Sequence, residues 1–165
     1  MELIPDDIRA HLLANGAAEE EMDYIPVVKF FDPCGRGTWI ITEMMDDGDS
    51  LLGLCDLGFP ELGYASLTEI QSVTNRLGLS IQRDLDFRPC FPLSVYTEAA
   101  RLTGSIIGAE QVIDAVAASM GTPPMPRDDV IAEWMGLHYG RNFDAESEPA
   151  KASWRARYVA SHRRD

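Results

Sequence analysis

Val27-Val28-Lys29-Phe30-Phe31, Thr38-Trp39-Ile40-Ile41-Thr42-Glu43 and the run from Leu51 to Leu57 follow one another with only short connections between them. Each has the β-branched and aromatic content of a strand. Asp32-Pro33-Cys34-Gly35 turns the first run into the second, and the Asp46-Asp47-Gly48-Asp49 segment turns the second into the third. Connections this short join antiparallel neighbours, because a parallel pair needs a crossover of a dozen residues or more. Ser80–Arg88 reads as a fourth strand, with Ile81, Leu85 and Phe87 alternating toward a core and Gln82, Asp84 and Asp86 toward water. Arg83 falls on the apolar side. A buried guanidinium needs a carboxylate partner, and Glu43 and Glu61 are the candidates.

Helices flank these strands. Pro5-Asp6-Asp7 starts one over Pro5–Ala14, since proline suits the first helical position and acids there oppose the helix dipole. Asn15-Gly16 is expected to end it in a left-handed cap. Ser66-Leu67-Thr68-Glu69 is a capping box, predicting a helix over Leu67–Arg76 closed by Gly78. Leu93–Thr103 and Ser105–Ser119 are helical candidates, the second with Ile106, Ala109, Val112, Ile113, Val116 and Ala117 along one face. Beyond the rigid break Thr122–Pro126, Asp128–His138 and Lys151–His162 read as two further helices, the last amphipathic with Trp154 and Tyr158. The expected fold is α+β: a small antiparallel sheet of about four strands packed with helices over residues 1–96, and a helical extension or appendage over 97–165. Trp39, Ile41, Leu54, Leu67, Ile70, Leu85 and Phe87 are the predicted core.

The chain of 165 residues carries a net charge of −13. Residues 1–100 hold 18 Asp and Glu against 6 Lys and Arg, whereas residues 101–165 hold 9 against 8. A surface of that sign repels phosphate backbones and attracts basic partners. Direct nucleic-acid binding through residues 1–100 is therefore not expected. The acidic start has no signal-peptide pattern, and no apolar run reaches the ~18 residues that span a bilayer. These features predict a cytoplasmic protein with no membrane contact. Neither composition nor spacing speaks to the oligomeric state.

Motifs for chemistry are few. Cys34, Cys55 and Cys90 are far apart and odd in number, which fits free thiols rather than a disulfide framework or a zinc site. His11, His138 and His162 are isolated, and Asp46-Asp47-x-Asp49 lacks the closing glutamate of a calcium loop. No catalytic residue, metal ligand or cofactor is expected. Glu61-Leu62-Gly63-Tyr64 reads as a structural corner with the tyrosine packed down.

Four blocks in fixed order carry a family likeness: Lys29–Pro33, Thr38–Glu43, Gly58–Ile70 and Leu77–Pro89. Over about residues 1–96 they resemble the domain of unknown function 2958 family of plasmids and conjugative elements. The resemblance implies a genetic setting and a fold but no reaction. Relatives beside or fused to antirestriction-type domains imply host restriction or CRISPR machinery as the opponent. Gln82 stands where the family pattern has an acid, which weakens any shared carboxylate mechanism.

The expected function is a non-catalytic acidic binding protein, most concretely an anti-defence inhibitor that meets a basic protein surface, with nucleic-acid mimicry as one form of that contact. Glu19, Glu20, Glu21, Asp46, Asp47, Asp49, Asp84 and Asp86 are the partner-binding candidates. Reversing Asp46, Asp47 and Asp49 together is expected to weaken binding and leave the melting temperature nearly unchanged, because exposed charges contribute little. Two other readings stand beside it: a hydrolase-like enzyme using Glu61 or Asp84, and a plasmid maintenance or transfer accessory docking through the C-terminal helix around Trp154 and Tyr158.

Overall fold

A computed structural model describes residues 2–19, 22–119, 128, 131–132, 135–136, 142–147, 150–151 and 154–155. The chain divides into two compact units, Met1–Ile113 and Asp114–Asp165. The first holds α1 (Asp6–Gly16), β1 (Val28–Phe31), β2 (Thr38–Met44), β3 (Ser50–Asp56), β4 (Pro60–Ser66), α2 (Leu67–Ser72), β5 (Gln82–Arg83), α3 (Leu93–Thr103) and the start of α4 (Ile106–Ser119). The architecture is α+β. All five strands pair antiparallel in the order β4-β3-β2-β1-β5.

Register assigns the two faces of the sheet. Val28 and Phe30 lie opposite Ile41 and Trp39. They share one core with Met44, Leu51, Ile81, Leu12 of α1, and Leu67 and Ile70 of α2. Alternation puts Lys29, Ile40, Leu54 and Asp56 on the other face. There Ile40 and Leu54 are buried, α3 packs on β3 and β4, and the Asp56 carboxylate accepts the Ile106 amide at the start of α4 (3.0 Å). Helices thus cover both faces, which is why β2 is buried along nearly its whole length rather than alternately.

Several expectations change. The segment read as a corner is β4, a seven-residue edge strand with Leu62 56% and Tyr64 66% exposed. Its breakers sit where an edge tolerates them: Pro60 is the first residue, and Gly58, at φ +121°, turns the hairpin. The fourth predicted strand shrinks to Gln82–Arg83, leaving Leu85 58% exposed and Phe87 half-buried, edge-on to Tyr96. Trp39, Ile41, Leu54, Leu67 and Ile70 are buried as expected.

α1 continues through Asn15 and Gly16 instead of capping there. Asn15 donates from Nδ2 to the Thr42 carbonyl (2.8 Å), and a Cβ on Gly16 would run into the Met44 carbonyl. Both residues serve the close approach of α1 to β2. α2 stops at Ser72 because Asn75 takes over: its Oδ1 accepts the amides of Leu77 and Leu79, organising a turn with Gly78 at φ +76°. Side-chain competition for backbone amides ends helices in this way. α3 and α4 match their predicted spans, although Val112 and Val116 are exposed. In the second unit Ile131, Met135, Phe143 and Trp154 form a buried cluster, with Arg155 paired to Asp128 (2.7 Å).

Candidate functional site

β2 does not run straight. The pairing with β3 shifts between Ile41 and Glu43, leaving Thr42 as a bulge. In an unbroken strand Glu43 would share the face of Ile41, inside the core. The bulge turns Glu43 to the opposite face and returns Met44 to the core. Thr42 is fully buried, its hydroxyl donating to the Leu52 carbonyl (3.2 Å).

Next to this bulge lies a groove of about 710 Å³. Its floor is Thr42, Glu43, Leu52, Leu62 and Tyr64 of the sheet; one wall is the end of α1 with Glu19, Met22, Asp23 and Tyr24, and the other the first turn of α3. Asp23 ties the two walls, accepting from the Ser94 amide (3.1 Å) and hydroxyl (2.5 Å), while the Leu93 amide donates to the Tyr24 carbonyl (2.9 Å). Burial, and after it the Glu43 carboxylate, raise the Tyr24 hydroxyl above the ordinary tyrosine range, so it stays a protonated donor. The groove therefore offers exposed apolar surface from Met22, Leu62 and Tyr64 beside the carboxylates of Glu19, Asp23 and Glu43. Apolar floor with a few polar groups is the usual make-up of a binding cleft.

The predicted partner-binding acids are spread over separate places. Glu19 is exposed in the groove; Glu20 and Glu21 lie outside the described residues. Asp46 is exposed on the β2–β3 turn. Asp47, beside it, accepts the amides of Asp49 and Ser50 and the Ser50 hydroxyl (2.6 Å). Asp49 accepts the hydroxyls of Ser66 and Thr68 and the Thr68 amide, fastening the turn to the start of α2. The Ser50 hydroxyl above all holds Asp47, and the Ser66 hydroxyl Asp49, below the usual carboxylate range. Charge reversal at Asp47 and Asp49 would thus break fold-holding bonds, against the expectation of an unchanged melting temperature.

Asp84 pairs with Lys29 (3.1 Å), whose ammonium also meets Glu110 (2.7 Å) and lies 5.8 Å from the Phe87 ring. This largely buried triad escaped sequence reading because Glu110 is 81 positions from Lys29. Asp86 is exposed and donates its amide to Asp84. Arg83 faces the α1 side, level with Phe30. The bulge has turned Glu43 to the other face, and Glu61 sits on the far edge strand, so neither expected pairing forms; Nη1 of Arg83 is buried without a hydrogen-bond partner among the described residues. Four strand spacings, about 19 Å, separate β4 from β5. Glu61 and Asp84 therefore cannot converge on one substrate.

Cys34, Cys55 and Cys90 are free thiols, and burial pushes Cys55 up to about 11. Trp154 is packed in the core of the second unit rather than displayed; Tyr158, His138 and His162 lie outside the described residues. No helix among the described residues is long and apolar enough to cross a membrane.

A protein family described only as of unknown function (DUF2958) matches residues 3–107, more than half of the chain. No curated protein and no solved structure matches.

Proposed function

We propose, for a chain that belongs to the DUF2958 family, a non-catalytic binding function: its groove takes a basic, partly apolar segment of a protein partner. The observation that carries this is the groove itself, where Met22, Leu62 and Tyr64 stand exposed beside the exposed Glu19, with Glu43 and the Ser94-bound Asp23 adding negative charge to the walls and floor. Apolar side chains supply the contact area, and the carboxylates favour Lys or Arg over acidic competitors. In the mobile-element setting that the family resemblance implies, the partner is a component of host defence, and occupancy of its basic surface inhibits it. Mimicry of a phosphate row is not needed, since Asp47, Asp49 and Asp84 are committed to partners inside the fold.

The test is capture of partners from the host by the tagged protein, followed by binding kinetics across a salt series. Glu19→Lys and Glu43→Lys, each checked for an unchanged melting temperature, should lower the association rate toward the captured partner. A partner bound equally well by both variants and at all salt concentrations refutes the groove as its site.

A further inference from the structure

The two edges of the sheet are built differently. β5 is two residues long and flanked by charge, which blunts it as a pairing template. β4 is seven residues long, without a bulge in its pairing to β3, and carries one charged residue, Glu61. Its outward backbone groups follow from register. Ser50 lies opposite Ser66, and one step further the Leu67 amide donates to the Asp49 carbonyl (2.9 Å). In an antiparallel ladder hydrogen-bonded pairs alternate with non-bonded ones. Glu61, Gly63 and Ala65 therefore bond inward to β3, and Leu62, Tyr64 and Ser66 aim their amides and carbonyls at the open edge.

We propose that β4 pairs antiparallel with β4 of a second copy of this chain, about a two-fold axis at Gly63, joining two sheets into one. In that register Leu62 faces Tyr64 of the second copy, and Tyr64 faces its Leu62. These are the residues whose backbone groups point outward, so each amide meets a carbonyl. Pro60, which has no amide to offer, falls opposite Ser66 at the ends. Glu61 lies opposite Ala65, so the two copies' Glu61 carboxylates are kept apart by four residues, roughly 13 Å. Gly63 gives a second line of support. It has no positive φ, and a Cβ there would meet nothing within 4 Å, so nothing in the described single chain calls for glycine. A glycine inside a strand often marks a bulge, a sharp bend or the close approach of a ligand or another backbone; the β3–β4 ladder has no bulge, and the two-fold brings the two Gly63 Cα atoms to about 4.5 Å.

Pairing sets Leu62 and Tyr64 of the second copy beside the groove, extending its apolar floor across the axis. The pairing rests on the edge alone and not on any groove ligand. Because each chain carries −13, added salt screens repulsion between copies and strengthens self-association, opposite in sign to the binding of a basic partner.

Sedimentation of the full chain should give about twice 18.3 kDa, with a larger dimer fraction at higher salt. The Leu62→Lys, Tyr64→Lys double variant and the Leu62→Glu, Tyr64→Glu double variant should each be folded and monomeric, with melting temperatures that, unlike the wild type's, do not rise with protein concentration. Mixed, they should form a heterodimer, because Lys then faces Glu at every such pair. In a Cys34→Ser background, Gly63→Cys should cross-link to itself on oxidation, since the paired Cα atoms fall in the range a disulfide bridges, while Glu61→Cys should not. A wild-type chain that is monomeric at every concentration overturns the proposal. So does a dimer that survives the double lysine substitution, or charge-paired variants that fail to associate.

Discussion

Gly16 and Gly63 are the same residue under opposite constraints. At Gly16 a methyl group would strike the Met44 carbonyl, so α1 could not keep its distance from β2. Gly16→Ala should cost about 1–3 kcal/mol by overpacking, read as a lowered midpoint in urea. Gly63→Ala meets open space and should stay within about 0.5 kcal/mol in a monomeric edge variant. Asp47 and Asp49 are held low by hydrogen bonds to their ionised forms. A group whose folded pKa is depressed adds stability above its unfolded value, about 3.9 for aspartate, and loses it as pH falls through the folded value. Acid titration followed by circular dichroism should therefore show stability falling below about pH 4. In Asp49→Asn the fall should be shallower, from a lower starting stability.

At the scale of elements, the segment after β5 and the sheet interior answer differently to the same substitution. Leu54→Ala removes a fully buried side chain and should cost about 2–5 kcal/mol. Leu85→Ala, at a position that strand alternation predicts as core, should cost no more than about 0.5 kcal/mol, because Leu85 is largely in solvent. Thermal melts of the two variants side by side decide this. The Lys29 triad ties α4 to β1 and to the residue after β5. Lys29→Met would remove the cation that Glu110 and Asp84 share, and should cost about 2–4 kcal/mol. That is below the full range for a deeply buried pair, because both carboxylates keep some solvent contact. β4 and α2 were the elements least legible in advance: Pro60 and Gly63 resemble breakers until the strand is known to be an edge, and Val73 and Leu77 extend a helical spacing that Asn75 cuts short.

For the whole molecule, acidity acts at long range with two signs. In the proposed function it draws a basic partner toward the groove, and in the proposed dimer it pushes a second copy away from the β4 edge. Stopped-flow association with a basic partner should slow as salt rises from low to physiological, with a smaller change in dissociation, while self-association moves the other way.

The α+β class, the β1–β2–β3 meander, the spans of α3 and α4 and most of the core follow from local pattern, because hydrophobic period and short turns are local properties. Trp39 and Ile41 were legible as core on alternation alone. Everything that depends on which strand lies beside which needs the folded chain. Sheet order put Glu61 and Asp84 on opposite edges and made β4 an exposed template. The bulge at Thr42 turned Glu43 out of the core, away from Arg83 and into the groove. Lys29 found Glu110 across 81 positions. A carboxylate reads the same in sequence whether it caps a turn, neutralises a buried lysine or waits in a cleft, because its neighbours across the fold, not along the chain, assign its work.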